Sequence, residues 1–176
     1  MLDTEGVLRV LDFGGSLGSS YFQHRNFLSH IENIKWIVVE QSHFVAVGKR
    51  EFENEYLKFS YTIEDAVNTY QPNIILFSSV LQYLPQPFTQ IETAFKYKIP
   101  YLWIDRTPFK ASEKDQITQQ IVIPSIVKAS YPCWLFSEKR FRENIEKYYT
   151  IKTTFDSLDK INVLNCPYKG IFCYIK

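Results

Sequence analysis

Short apolar segments alternate along the chain with segments whose apolar residues recur at helical spacing. The apolar segments span five to seven residues and are rich in β-branched side chains, which is typical of buried strands. The predicted strands are Val7–Phe13, Lys35–Glu40, Leu57–Tyr61, Asn73–Ser79, Pro100–Asp105, Thr150–Asp156 and Gly170–Ile175. Apolar residues three or four positions apart predict helices over Ser19–Ile31, Phe44–Phe52, Thr62–Tyr70, Phe88–Tyr97 and Glu138–Tyr148.

This alternation predicts an α/β fold: a mostly parallel sheet with helices on both faces and a final pair of strands. A chain of 176 residues fits a single domain covering residues 1–176. Residues 106–132 are the exception to the alternation, because they show no clear periodicity. A long segment of this kind between two regular elements is typical of a lid or a substrate-binding insertion.

Composition excludes several classes of protein. The chain is 45% hydrophobic and 22% charged, which is ordinary for a globular domain. Its net charge of +1 excludes a strongly basic nucleic-acid binder, and no apolar run approaches the ~20 residues of a bilayer span. Its three cysteines have no C-x-x-C spacing, which argues against a disulfide framework and against zinc. We expect a cytoplasmic protein without a metal.

Three glycines lie within five residues directly after the first predicted strand, in the run Asp12-Phe-Gly-Gly-Ser-Leu-Gly18. Glycine allows a tight turn and the close approach of another molecule to the backbone. The start of the helix that is predicted to follow presents unpaired N–H groups and a positive dipole end, which suit an anion. Ligands of parallel α/β sheets bind beyond the carboxyl ends of the strands, so this loop is the first candidate for a nucleotide site.

The spacing of these glycines discriminates between nucleotide motifs. A P-loop ends in Gly-Lys-Ser/Thr, and this loop has no lysine. A dinucleotide motif, Gly-x-Gly-x-x-Gly counted from Gly14, places Ser16 and Ser19 at two glycine positions, so NAD fits poorly. Counted as acid-x-Gly-x-Gly-x-Gly, the run has one departure, Ser16 at the middle glycine. That departure is tolerable if Ser16 keeps φ below zero.

The acid-x-Gly-x-Gly-x-Gly pattern resembles the first motif of class I S-adenosylmethionine-dependent methyltransferases. The segment Phe77–Pro87 is similar to the stretch that follows the fourth strand of that family. The resemblance covers nearly the whole chain and implies a Rossmann-like sheet of seven strands whose last strand lies antiparallel beside the fifth. The runs SSVLQYL, IDRTPF and ITQQ also resemble a bacterial branch of the family that we associate with surface-polysaccharide gene clusters.

The resemblance implies S-adenosylmethionine as the cofactor and assigns residues to it. Glu40, at the end of the second strand, would bind the ribose hydroxyls, and the glycine loop would bind the amino-acid end. Asp12 would order the loop or reach the cofactor ammonium through water, unless it only caps the turn. Thr62 is equally suited to capping a helix. The implied cofactor-binding residues are Asp12, Gly14, Gly15, Gly18, Glu40, Gln41, Thr62, Ser78 and Ser79.

The catalytic candidates follow the fourth and fifth strands. Asp105 is placed to act as a general base for a hydroxyl, and Arg106 to hold an anionic group of the acceptor. Tyr83 would line the acceptor pocket, together with Gln119, Gln120 and Tyr131. The alternative is that Asp105 and Arg106 form an internal pair that fixes the insertion.

These inferences favour a methyltransferase that modifies an oxygen, or else a nitrogen, of a small acceptor. Sugar or glycan-precursor hydroxyls are our first choice of acceptor. An alternative is a protein that keeps the methyltransferase fold as a binding module or scaffold without activity, since no general base is evident. A third is an NAD-dependent oxidoreductase. We expect no nucleic-acid partner and no membrane span, and the sequence does not indicate an oligomeric state.

Overall fold

A computed structural model describes residues 6–122, 125, 128–161 and 166–176. In this part of the chain, nine strands form one sheet, and five α-helices pack on it. The strands are β1 (Val7–Phe13), β2 (Asn33–Val39), β3 (Leu57–Ser60), β4 (Ile74–Ser78), β5 (Tyr101–Lys110), β6 (Gln116–Ile121), β7 (Ser130–Ser137), β8 (Tyr149–Ile161) and β9 (Cys166–Ile175). The helices are α1 (Ser19–His24), α2 (Ser42–Glu51), α3 (Ile63–Tyr70), α4 (Pro87–Lys96) and α5 (Glu138–Ile145), and a 3₁₀ turn covers Leu81–Tyr83.

The central five strands run parallel in the order β3-β2-β1-β4-β5. Strand β9 lies antiparallel beside β5, and β8 lies antiparallel beside β9, so the predicted antiparallel last strand is confirmed. The strand order reverses between β1 and β4, where open α/β sheets form their ligand crevice. The parallel arrangement brings the carboxyl ends of β1 to β5 to one edge, which we call the carboxyl edge.

Each face of the sheet has its own apolar core. On one face, Tyr21 of α1 and Val45 of α2 pack with buried residues of β1, β2 and β3. On the other face, helices α3, α4 and α5 contribute residues such as Ile91 and Phe141 to a larger core. Helices therefore cover both faces, as the alternating pattern predicts.

The segment predicted as an insertion consists largely of strands. Strand β5 continues past Asp105 to Lys110, with a register shift between Ile104 and Thr107. Strands β6 and β7 then form an antiparallel pair, which makes nine strands where the sequence predicted seven. The pattern failed here because β6 has no buried residue: one of its faces is exposed and the other is only partly covered, so the strand lacks the apolar alternation of a half-buried strand.

Helix α1 is shorter than predicted, since it ends at His24 rather than at Ile31. Side chains beyond it bond to nearby backbone: Ser29 Oγ donates to the Asn26 carbonyl (2.8 Å), and His30 Nδ1 lies 2.9 Å from the Phe27 carbonyl. Such local bonds compete with the helical pattern and favour turns. We expected the dipole of this helix to favour an anion at the glycine loop. With only six residues, α1 does not provide such a dipole.

Candidate active site

The glycine loop leaves β1 at the carboxyl edge and is held by its own packing. The Gly14 N–H donates to the Val39 carbonyl (2.9 Å), which ties the loop to β2. A Cβ at Gly14 would lie 2.5 Å from Val80 Cγ2, and one at Gly18 would lie 2.9 Å from Leu57 Cδ2. Both glycines also have positive φ, of 74° and 90°. These two positions are therefore glycine because the protein itself leaves no room for a side chain.

Asp12 lies beneath this loop and is almost fully buried. Trp36 Nε1–H donates to its Oδ2 (3.0 Å), and a Cβ at Gly15 would come within 2.5 Å of its carboxylate. Burial raises the pKa of Asp12 from 3.8 to about 6, although the bond from Trp36 opposes the rise. The carboxylate thus lies against the underside of the loop, where it is placed to order the loop; its role toward a cofactor stays a prediction.

The backbone angle φ of Ser16 differs from the expected one. Its φ is +53°, in the left-handed region, whereas we expected a negative value. The loop keeps a glycine-like backbone at this position although the residue is serine, which strains an L-residue. Neither Ser16 nor Leu17 makes a hydrogen bond to any described residue. Their amide groups are donors at the carboxyl edge with no partner in that part of the chain.

The ends of β2 and β3 place polar groups beside the loop. One oxygen of Glu40 accepts a hydrogen bond from the Gln41 N–H (2.6 Å), which holds this half-buried carboxylate at the end of β2. Gln41 is the N-cap residue of α2, and its side chain is exposed. Thr62 caps α3, because its Oγ1 accepts from the Asp65 N–H (3.0 Å). The hydroxyl of Thr62 is therefore engaged in the cap, which was one of the two roles considered for it.

The end of β4 and the register shift within β5 have an uncommon backbone. Ser79 has φ of +55° and Arg106 has φ of +53°. Ser78 lies opposite Asp105 in the parallel register, and the Ser79 N–H donates to the Asp105 carbonyl (3.0 Å). With Ser16, three non-glycine residues of left-handed conformation thus lie on or just after three neighbouring strands. Strained residues of this kind concentrate at functional sites.

Asp105 and Arg106 do not pair with each other through their side chains. Arg106 makes a two-pronged ion pair with Asp159 of β8, with Nε to Oδ2 at 2.7 Å and Nη2 to Oδ1 at 3.0 Å. This pair raises the pKa of Arg106. Asp105 Oδ1 accepts from Ser157 Oγ (2.7 Å) and from the Arg106 N–H (2.7 Å). The predicted internal pair is replaced by two links from β5 to β8.

Tyr83 connects the segment after β4 to the β6–β7 pair. Its hydroxyl donates to Gln120 Oε1 (3.0 Å), and its ring packs edge-to-face on Tyr131 with 5.2 Å between centroids. Burial raises the pKa of the Tyr83 phenol, which is therefore neutral at physiological pH. Gln119 instead donates to Ser130 Oγ, across the strand pair (3.1 Å). Three of the four predicted acceptor residues thus meet in one place.

One residue at the carboxyl edge was not identified from the sequence. Gln82 follows β4, is fully buried, and donates through Nε2 to Ser79 Oγ and to the Arg106 carbonyl, both at 3.2 Å. A glutamine in a turn is ordinary in sequence, and no local signal shows that it is buried between two strand ends.

Two clefts lie away from the carboxyl ends of β1 and β2. One of about 730 Å³ is lined mainly by charged side chains near the end of β5 and on α5, and one of about 300 Å³ lies between α4 and β7. Neither is lined by the glycine loop or by Glu40, so the candidate site is defined by strand ends rather than by cleft volume. Among the described residues, no group of three His, Cys, Asp or Glu side chains could hold a metal. No helix in the described ranges is long and apolar enough to cross a bilayer.

Comparison with known proteins identifies the fold. No family model and no curated protein matches the sequence. Solved structures do match. The glycopeptide N-methyltransferase MtfA, complexed with S-adenosylmethionine, has a TM-score of 0.68 at 8% identity over 96% of this chain and 87% of its own. A methyltransferase dependent on the same cofactor, from Methanosarcina mazei, has a TM-score of 0.65 at 11% identity over 97% and 93%.

A third matching structure belongs to an enzyme with a different reaction, so the similarity concerns the fold. A protein described as a pericyclic reaction enzyme has a TM-score of 0.62 at 10% identity, over 97% of this chain and 43% of its own. The chain therefore has the fold of class I S-adenosylmethionine-dependent methyltransferases, as the sequence predicted. Because one fold supports different reactions, its activity has to be argued from the site.

Proposed function

We propose that the protein is an S-adenosylmethionine-dependent methyltransferase that modifies an oxygen of a small polar acceptor. The observation that carries this proposal is the carboxyl edge: a buried acid beneath a glycine loop after β1, and a carboxylate at the end of β2. The fold match supports the same cofactor, because the MtfA structure holds it.

The groups at this edge fit the cofactor chemically. The amide donors of Ser16 and Leu17, which bind no described residue, suit the carboxylate of an amino acid. Glu40 engages Gln41 through one oxygen only, so its other oxygen is available to the hydroxyls of a ribose. A carboxylate makes charge-assisted hydrogen bonds to such hydroxyls, and these are stronger than neutral ones. In this proposal Gln41 and Thr62 flank the adenine ring, and Ser78 and Ser79 lie at the amino-acid end.

In this proposal, Asp105 and Tyr83 supply the polar groups that contact the methyl acceptor. S-Adenosylmethionine, when bound, would supply a sulfonium methyl group for transfer to the acceptor oxygen with cleavage of the carbon–sulfur bond, and the acceptor would have to lose its proton. Asp105 holds Oδ1 in bonds to Ser157 and to the Arg106 amide, which leaves Oδ2 to take that proton. Tyr83, kept neutral by burial, orients the acceptor through its hydroxyl rather than acting as a base.

Sugar hydroxyls remain our first choice of acceptor. Tyr83 and Tyr131 present partly exposed rings, and Gln120 brings an amide to the same place. Aromatic surface combined with a few fixed hydrogen-bonding groups is the usual composition of a small-molecule site. Arg106 is bound to Asp159, so in this proposal it orders the acceptor side and binds an anionic acceptor only if that pair opens.

The cofactor assignment is tested by calorimetric titration with S-adenosylhomocysteine. We expect binding by the unchanged protein and a loss of about 100-fold in affinity for Glu40→Ala, since two charge-assisted hydrogen bonds of ~1.5 kcal/mol each disappear. At 100 times its Kd, the ligand should add about 2.7 kcal/mol to the free energy of unfolding.

The matched control is Glu143→Ala, which removes an exposed acid on α5 and should leave the affinity unchanged. Binding of NADH, with no binding of S-adenosylhomocysteine, would support an oxidoreductase and contradict the proposal. Equal affinity in Glu40→Ala and the unchanged protein would show that Glu40 does not bind the ribose. Binding of the cofactor without methylation of any hydroxyl acceptor in a sugar panel would favour the inactive scaffold.

A further inference from the structure

Gln82 is a polar side chain buried between the end of β4 and the register shift in β5. It lies in the 3₁₀ turn after β4, next to the buried Leu81, and its side chain has no exposed surface. Its Nε2 group donates to Ser79 Oγ (3.2 Å) and to the Arg106 carbonyl (3.2 Å). One amide thus connects the residue that follows β4 with the register shift in β5.

The orientation of this amide is set by its partners. A backbone carbonyl only accepts hydrogen bonds, so the NH₂ group must face Arg106. The carbonyl oxygen of Gln82 is consequently buried without a donor among the described residues. A buried acceptor without a partner costs the desolvation of that oxygen, and an apolar side chain of equal length would avoid the cost. The two hydrogen bonds of the amide are thus offset by its unpaired oxygen, so the net contribution of this glutamine to stability is small.

The two partners of Gln82 share a second property. Ser79 and Arg106 both have left-handed backbones, with φ of 55° and 53°. The other non-glycine residues of this kind beyond the glycine loop, Gln71 and Lys98, follow the ends of α3 and α4, where such a conformation is common. Strain at strand ends persists only where surrounding contacts hold it. Gln82 is the side chain that bonds to both strained strand ends.

We infer that Gln82 is a positioning residue, which holds the ends of β4 and β5 in the geometry that receives the amino-acid end of the cofactor. This inference rests on the proposed function. Ser79 lies at the amino-acid end in that proposal, and Arg106 follows the candidate base Asp105. Gln82 acts on the ligand through these two residues and without touching it, since its own side chain has no exposed surface.

The test compares two ligands in Gln82→Met, which keeps the length of the side chain and removes its polar groups. S-Adenosylhomocysteine carries an amino-acid end, and 5′-methylthioadenosine lacks one. We expect the affinity for S-adenosylhomocysteine, measured by calorimetry, to fall about tenfold, and that for 5′-methylthioadenosine to stay unchanged. The melting temperature should stay within about 4 °C of the unchanged protein, because an unpaired buried oxygen is removed along with two hydrogen bonds.

Gln86→Met is the matched control, since it makes the same change at an exposed glutamine four residues further along. Its affinities should match those of the unchanged protein. If Gln82→Met folds and binds S-adenosylhomocysteine normally, or loses both ligands equally, the positioning role is wrong. Failure of the unchanged protein to bind S-adenosylhomocysteine would overturn the proposed function instead.

Ser79→Ala provides a second measurement if Gln82→Met does not fold. It removes one acceptor of the Gln82 amide from a half-buried position. We expect a smaller loss of S-adenosylhomocysteine affinity, again with no change for 5′-methylthioadenosine. Where both variants fold, the double variant should lose less than the product of the two single losses, because the residues act through one contact. Independent effects would contradict the inference.

Discussion

Replacing Asp12 with asparagine should stabilise the protein at neutral pH. Asp12 is 1% exposed beneath the glycine loop, and burial raises its pKa from 3.8 to about 6. A shift of this size corresponds to roughly 3 kcal/mol, at 1.36 kcal/mol per pKa unit. Asparagine has nearly the same shape, carries no charge, and keeps an oxygen that accepts the bond from Trp36.

The sign of the pH dependence follows from where the proton binds more tightly. Because the folded protein has the higher pKa, protonation of Asp12 favours folding. That stabilisation is complete below pH 3.8 and is lost as the pH rises through about 6. We therefore expect Asp12→Asn to match the unchanged protein near pH 4 and to exceed its free energy of unfolding by up to about 3 kcal/mol at pH 7.

Urea denaturation followed by circular dichroism between pH 4 and pH 7.5 measures this difference. An exposed acid on α5 offers the control, since Glu143→Gln replaces a carboxylate outside the core and should give only a small difference. A difference for Asp12→Asn that stays constant from pH 4 to pH 7.5 would show that the pKa of Asp12 is not raised in the folded protein. A loss of stability at pH 7 would show that the hydrogen bonds of Trp36 and Ser20 to the ionised carboxylate compensate its burial more fully than the raised pKa indicates.

Two further substitutions test the backbone and the packing through thermal unfolding. Ser16→Gly should leave the melting temperature unchanged or raise it, because glycine relieves the left-handed strain, whereas Ser16→Val should destabilise the fold by more than about 1 kcal/mol. Gly170→Ala should destabilise it by about 1–3 kcal/mol, since its Cβ would lie 2.0 Å from Phe155 Cζ; an unchanged melting temperature would mean that this ring moves freely.

The strands and helices of the parallel half could be predicted because each has a local signal. Strand β4 is a nearly unbroken apolar run, and Thr62 caps α3 with the spacing that the sequence suggested. The second half contains features without a local signal. Strand β6 alternates little because much of it is exposed, and β5 extends past Asp105 through pairing with β9. The β9 residues that pair with this extension lie 60 and 62 positions further along the chain, and its last two residues pair with β7.

The site was predictable to a similar extent. The glycine loop and Glu40 stand out because special residues follow strand-like runs, whereas the links among acceptor-side residues depend on tertiary structure. Arg106 finds its partner Asp159 across 53 positions, and Gln82 reaches Arg106 across 24. The backbone of Ser16 could not be predicted from its residue type, because serine does not favour the left-handed conformation that it adopts in this loop.

Several unfavourable features of this fold lie at the carboxyl edge, although others, such as the buried Nε of Arg9 on β1, which has no partner among the described residues, do not. Asp12 is a carboxylate buried with a raised pKa, Gln82 leaves a buried oxygen unpaired, and Ser16, Ser79 and Arg106 hold left-handed backbones. Each of these reduces stability, and all lie at or just beyond the ends of β1 and β4 or at the register shift in β5. The left-handed residues Gln71 and Lys98 instead follow the ends of α3 and α4, where that conformation is common. We therefore relate the strain at the carboxyl edge to the proposed ligand site, since α/β sheets bind ligands at this edge.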